Sequence, residues 1–279
     1  MSVPALGGES TPKTACITLD LENNWDFESD DLRYLVFDHL DEYIELIQSV
    51  DVPVTVFVVG EVCEDRPDVI RRLDSELDVE FQLHSYSHDM TGEADIEREI
   101  RAGVSAFEAV RGHRPRGYRA PRFIVDDGDL RALADAGFTF DSSICPSYRP
   151  GVYNNLDAPQ EPHRPSDAPG LLEFPIGVHP QLKIPISQSY LRLLGSPYLQ
   201  ALRYTSLPDP LVVDSHLHDF FETDAHAQLS GLRKLLFTTN IDSSTHLFRR
   251  LVGVLREQGY AFRTLGDLVD ERRPLQARG

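Results

Sequence analysis

Lysine is nearly missing from this 279-residue chain: Lys13, Lys183 and Lys234 are the only three, and arginine makes up the rest of the 27 basic residues. Against 45 acidic residues this leaves a formal net charge of −18. Such a field repels phosphate backbones and anionic headgroups, so nucleic acid and an anionic membrane are excluded as main partners. An acidic, lysine-poor surface stays hydrated at very high salt, and a halophilic source is expected. The alternative is an acidic face serving a cationic substrate such as a deacetylated amino sugar. The charges are spread along the chain rather than blocked, which favours solvation. Cysteine is also scarce. Cys16, Cys63 and Cys145 are odd in number and form no CxxC pair, which points to buried free thiols in a reducing cytoplasm. No run approaches the roughly 18 apolar residues that span a bilayer, so no membrane span is expected. The segment Met1–Glu9 lacks both a basic n-region and an apolar h-region, so no secretory leader is expected and the location is taken as cytoplasmic.

What is present suffices for a full core: 41% of residues are hydrophobic. The length allows one large domain or two small ones, and no repeat or separating linker is visible. Residues 1–13 read as a flexible tail and 14–279 as a single barrel domain. Residues 14–20 alternate as a strand, with Thr18, Asp20 and Glu22 on one side and Ile17, Leu19 and Leu21 on the other. Helical spacing covers 35–50. The apolar run 52–60 suits a strand buried on both faces. A helix over 67–77, a strand over 79–84 and a long amphipathic helix through Ile96, Ile100, Val104 and Phe107 follow. Short strands at 118–121 and 138–141 flank a helix over 128–136. Residues 142–170, rich in Pro, Gly, Asn and Asp, read as a long loop, functional or mobile, and a candidate lid. Strands at 171–176, 211–214 and 260–263 alternate with helices near 190–204, 244–257 and 265–271. Strands alternating with helices imply parallel β-α units, and about seven of them suggest a barrel.

In a barrel, reactive side chains gather at the carboxyl ends of strands. Asp20, Glu22, His84, His88, Arg119, Asp141 and His216 all fall at or just past such ends. The segment His84-Ser85-Tyr86-Ser87-His88 puts two imidazoles four residues apart. Ten histidines in the chain would give about 0.35 such pairs by chance, so the pair alone is a weak signal. Two histidines plus one carboxylate leave positions open on a divalent ion, as a catalytic site requires. Such an ion brings the pKa of water to about 7. Asp20 and Glu22 share a strand face, so one can ligate while the other acts as base. Arg119, its backbone extended ahead of Pro121, can hold a carboxylate such as Asp20. Asp141 can orient that arginine or a histidine, or simply cap a turn. His216 or His218 can protonate a leaving amine or steady an oxyanion.

Together, Thr18-Leu19-Asp20-Leu21-Glu22, Val54–Gly60, His84–His88, Gly112–Pro121 and Phe140-Asp141-Ser142-Ser143 resemble the polysaccharide deacetylases, the NodB-homology group of carbohydrate esterase family four. The resemblance runs from about residue 14 to 272. It implies a distorted (β/α)7 barrel of the α/β class that removes acetyl groups with a divalent metal, usually zinc. By position, Asp20 resembles the catalytic base, His84 and His88 the metal histidines, and Arg119 the residue that positions the base. The family often ligates metal through a second adjacent aspartate. Here that position is Leu21, and the Asp-x-Glu variant places the ligand at Glu22, in agreement with the strand-face argument. His216-Leu217-His218-Asp219 matches one family pattern at His216 and Asp219 and another at His218; His216 is preferred as the acid.

The expected function is a metal-dependent hydrolase, with zinc as cofactor, that deacetylates an N-acetylated sugar or glycan intermediate. Hydrolysis of a non-sugar amide or imide, and an inactive glycan-binding barrel, are the alternatives. Trp25 and Tyr148, with Pro121 in the arginine motif, are the candidate substrate contacts. So few aromatics near the site, Tyr153 being the other, favour a small substrate over a polymer. The oligomeric state is not readable.

Overall fold

The computed structural model describes residues 12–23, 33–89 and 94–272. The alternation expected of the first strand, β1 (Lys13–Leu21), decides the layering. Its Ala15, Ile17, Leu19 and Leu21 join the large core under the helices, while Cys16 belongs to a second, smaller core with Phe57, Phe140 and Phe174. Thr18 and Asp20 follow Cys16 on the second face, as a period of two requires.

β1 pairs in parallel with β2 (Val54–Val58), which pairs with β3 (Val79–Leu83). The row continues through β4 (Gly117–Tyr118) and β5 (Phe140–Asp141). The register lines up Leu21, Val58, Leu83, Tyr118 and Asp141 at the carboxyl rim. Glu22, His84, Arg119 and Ser142, each the next residue, therefore stand side by side. Gly117 is required where β4 meets β5, because a Cβ there would lie 2.1 Å from the Phe140 ring.

β5 pairs with β8 (Leu172–Glu173), and β1 also pairs with β9 (Leu211–Val213). A single parallel bridge, Ile176 to Val212, joins the chain beyond β8 to β9 and completes the ring. The expected distorted (β/α)7 barrel is thus observed, continuous from β9 through β1 to β3 and thin at β4, β5 and β8. A further strand, β10 (Tyr260–Phe262), pairs with the amino end of β1.

The helices α1 (Leu40–Val50), α3 (Pro67–Glu76), α4 (Ile96–Arg111) and α5 (Asp127–Asp135) fall where the apolar spacing placed them. Residues Leu35–His39, read as helix, form a 3-10 turn instead. A short α2 (Gly60–Asp65) after β2 has too few residues to show a period. The helix α6 (Gln188–Arg203) is kinked at Gly195, whose φ is +63°. An unexpected α7 (Gly231–Thr238) follows, in which no residue is buried. The last two helices are α8 (Ser244–Glu257) and α9 (Leu265–Arg272). The presumed structureless loop carries a small hairpin, β6 (Tyr148–Arg149) with β7 (Tyr153–Asn154). Among the described residues, no helix is long and apolar enough to cross a membrane. The three cysteines are buried and free.

Candidate active site

Arg119 is the largest fully buried side chain at the rim, and its partners define the site. Its guanidinium lies over the Phe57 ring, 4.1 Å from the centroid. Nη1 donates to Thr18 Oγ1 (2.8 Å), Asp20 Oδ1 (2.7 Å) and Asp214 Oδ1 (3.2 Å). Nε and Nη2 donate to the Ser142 carbonyl and hydroxyl. One cation thereby holds two carboxylates enclosed by protein, where an unpaired charge would be costly. Asp20 Oδ1 is taken up by this contact, and Oδ2 faces His84 Nε2 at 3.6 Å and His216 Nε2 at 3.8 Å.

The histidine pair sits on a loop after β3, with Ser85 and His88 both at positive φ (58° and 54°). Non-glycine residues rarely adopt that conformation, and it persists only when neighbours enforce it. Glu99 of α4 does so, accepting from the Tyr86 and Ser87 amides and the Ser87 hydroxyl, while Ser85 Oγ accepts from the His88 amide. His84 Nδ1 contacts the Arg119 carbonyl at 2.8 Å, which turns Nε2 inward.

Glu22 has four imidazoles around it. Oε2 lies 2.8 Å from His88 Nε2 and 3.6 Å from His84 Nε2; Oε1 lies 3.8 Å from His216 Nε2 and 3.9 Å from His218 Nδ1. Both oxygens are buried, yet neither is satisfied by an aligned hydrogen bond. Burial by itself would raise the Glu22 pKa, but His88 and His216 outweigh it and hold the carboxyl well below its usual range. Glu22, His84 and His88 offer donors within 4.8 Å of one another. The donors of a tetrahedral ion with bonds of about 2.0–2.1 Å lie roughly 3.3 Å apart. A buried carboxylate with no aligned donor, beside two inward imidazole nitrogens, fits a divalent cation.

His216 reaches the site because its backbone bridges Asp20 in parallel, beyond β9. Asp219 Oδ2 accepts from the His216 amide (3.1 Å) and lies 3.0 Å from its Nδ1. Asp219 Oδ1 accepts from Ser189 at 2.6 Å. Burial pushes the His216 pKa down, but Asp214, Glu22 and Asp219 more than reverse this and hold it well above its ordinary value. His218, stacked on His216 with ring centroids 4.8 Å apart, is driven the other way, to about 4, by burial and its charged neighbour.

Asp20, Glu22, His84, His88, His216, His218 and Asp219 line one cavity of about 240 Å³. Four expected contacts fare differently. Asp141 is not the residue that orients Arg119: the second carboxylate on the guanidinium is Asp214, which had not been singled out. Asp141 instead accepts from Ser143 and pairs with Glu173, because β5 and β8 place those two in register. Tyr148 is 53% exposed and does not line the cavity. Its neighbour Arg149 and the opposing Tyr153 do, since residues paired across a hairpin share a face and Tyr148 takes the other. Pro121 faces a separate small cavity with Ser85 and Glu99, whereas Arg122 and Phe123, both at positive φ, turn into the main one. Trp25 lies outside the described residues.

The family model for polysaccharide deacetylases matches residues 25–140. A chitooligosaccharide deacetylase of Sinorhizobium fredii is 33% identical over 141 residues, 45% of this chain and 64% of that protein. The match thus spans just under two thirds of that relative's own length. A Mycobacterium smegmatis structure described as a polysaccharide deacetylase superposes with a TM-score of 0.63 at 19% identity, covering 97% of this chain and 94% of the other. An allantoinase structure does so with a TM-score of 0.61 at 14% identity, covering 94% of each chain. At such identities the two structures speak for the fold alone. Barrel and rim motifs together define the class, an α/β barrel with its ionisable side chains gathered at the carboxyl rim. Residues 25–140 of this chain are thus similar to the polysaccharide deacetylases, and its fold is similar to theirs.

Proposed function

We propose that this protein is a metal-dependent hydrolase that removes acetyl groups from an N-acetylated sugar or glycan intermediate. The observation that carries this is the union, in one cavity, of an open carboxylate–imidazole donor set (Glu22, His84, His88) with an arginine-held carboxylate, Asp20, 3.6 Å from His84. Glu22, His84 and His88 would hold the ion, which supplies Lewis acidity and lowers the pKa of water; zinc suits this mixed donor set.

Asp20 Oδ2 takes the proton of the attacking water, while Arg119 keeps the carboxylate in place through Oδ1. The new C–O bond forms at the acetyl carbonyl. His216, held by Asp219 and kept protonated by surrounding carboxylates, donates its proton to the amide nitrogen as the C–N bond breaks. Acetate and the free amine are the products. Arg149, Tyr153, Tyr190 and Phe123 also line the cavity and would contact the substrate. The small cavity suits one or two sugar units.

The test is acetate release from N-acetylglucosamine oligomers of one to four units by purified protein, with metal content measured in parallel. Release that is lost in Asp20→Asn and His84→Ala supports the reading. Robust metal binding with no acetate from any sugar, but turnover of an amide or imide, would favour the non-sugar hydrolase that the allantoinase-like fold keeps in view.

A further inference from the structure

Glu22 faces two pairs of histidines, and the proposed function uses only one pair as ligands. Oε2 looks toward His84 and His88, while Oε1 looks toward His216 Nε2 at 3.8 Å and His218 Nδ1 at 3.9 Å. The two halves are built alike. In each, one histidine has its Nδ1 fixed by an outer oxygen, the Arg119 carbonyl for His84 and Asp219 for His216, so that Nε2 faces inward. In each, a second ring packs beside the first, with centroids 5.0 Å apart for His84 and His88 and 4.8 Å for His216 and His218. Asp20 Oδ2 lies between them, 3.6 Å from His84 Nε2 and 3.8 Å from His216 Nε2. His216 and His218 also belong to a group of donors within 4.8 Å of one another, whose third member is Asp219 rather than Glu22.

We infer that His216, His218 and Oε1 of Glu22 form a second divalent-cation site, bridged by Glu22 to the first. The inference rests on the metal reading of Glu22, His84 and His88. Two cations about 3.5–4 Å apart and bridged by a carboxylate are a stable arrangement for N and O donors. The second site is the weaker, because Oε1 stands 3.8 and 3.9 Å from its two imidazoles where Oε2 stands 2.8 and 3.6 Å from the other two. Its occupation has a functional consequence. An ion on His216 Nε2 removes the proton that the leaving amine needs, so excess metal inhibits the enzyme that one equivalent activates.

The experiment equilibrates the full chain, stripped of metal, against buffers of rising free zinc and counts bound ions; manganese electron paramagnetic resonance on the same proteins reports whether two ions are coupled. Wild type is expected to bind one equivalent, then a second at free zinc at least tenfold higher, with a coupled manganese signal and falling acetate release as the second fills. His218→Asn, with His218→Ala as a second variant should the first misfold by circular dichroism, keeps the first equivalent and loses the second and the coupling. His113→Ala, at an exposed histidine off the cavity, keeps both. Saturation of wild type at one equivalent, or a coupled pair that survives in both His218 variants, overturns the second site and leaves the proposed function standing. No bound metal in wild type overturns both.

Discussion

Asp20 and Asp214 share a guanidinium at one side of the barrel rim, whereas Asp141 and Glu173 at the other share a proton. All four carboxyls are buried. Arg119 lies between the first two, and each takes an N–H from the same nitrogen. Among the described residues no cation hydrogen-bonds the second pair and Asp141 Oδ2 and Glu173 Oε2 have no other donor, and burial raises Asp141 to about 6 and Glu173 well above its ordinary range. Burial and the neighbouring Asp141 charge therefore favour the protonated form of Glu173, which can face Asp141 as a donor. The same problem, an acid out of water, is solved once by pairing and once by neutralisation. Pairing suits a carboxylate that must be ionised to accept a proton. Neutralisation suits one that ties β5 to β8 where the strands are only two residues long.

Removing the shared cation should break the contrast most severely. Arg119→Leu leaves Asp20 and Asp214 buried and uncompensated, and a loss of about 3–5 kcal/mol is expected in urea unfolding. Adding Asp214→Asn to that variant should restore part of the loss, and a double variant no more stable than the single would deny the sharing. Asp20→Asn retains the arginine and the fold but not the carboxylate proposed as base. Acetate release should fall by about 10²–10⁴-fold while bound metal stays unchanged, as kinetics and metal analysis will show.

Asp219→Asn tests the acid. His216 is held above its ordinary pKa partly by this carboxylate, so it stays protonated, and able to donate, to a higher pH than a free imidazole. Activity should decline as pH rises through that raised value. Without the Asp219 charge the decline moves to lower pH, with a loss of roughly ten- to hundredfold near neutrality. An unmoved alkaline limb would sink the assignment of His216. The smallest effect is expected at the proton-sharing pair. Asp141 binds its proton more tightly folded, at about 6, than unfolded, at its ordinary 3.8, so its contribution to stability is full below pH 4 and lost as pH rises through 6. Glu173→Gln supplies a permanent amide donor that favours the Asp141 carboxylate. The variant should flatten this dependence by about 1 kcal/mol between pH 4 and 7 in unfolding titrations, the size of one buried hydrogen bond.

Local periodicity determined a good deal. A period of two on β1 was enough to separate the face of Asp20 and Glu22 from that of Leu19 and Leu21, because side chains must alternate along an extended chain. The apolar run of β2 and the carboxyl-end rule placed His84, Arg119 and His216 near one rim without knowledge of any contact. Asp214 obeys that same rule, one residue past β9, and could have been found by it. What local pattern cannot supply is the partner. Arg119 meets Thr18, Asp20 and Asp214 across about a hundred residues of sequence, so only the closed ring shows that Asp214, and not Asp141, shares its charge. Glu99, which holds the Tyr86 and Ser87 amides of the loop between His84 and His88, reads in sequence as an ordinary charged position on a helix. Tyr148 and Tyr153 have the same composition signal, and hairpin register alone turns one outward and the other in. The sequence therefore determined which side chains reach the carboxyl rim and which face they occupy, since those follow from backbone geometry; the tertiary structure decided which charges meet, since that depends on the register and closure of strands distant in the chain.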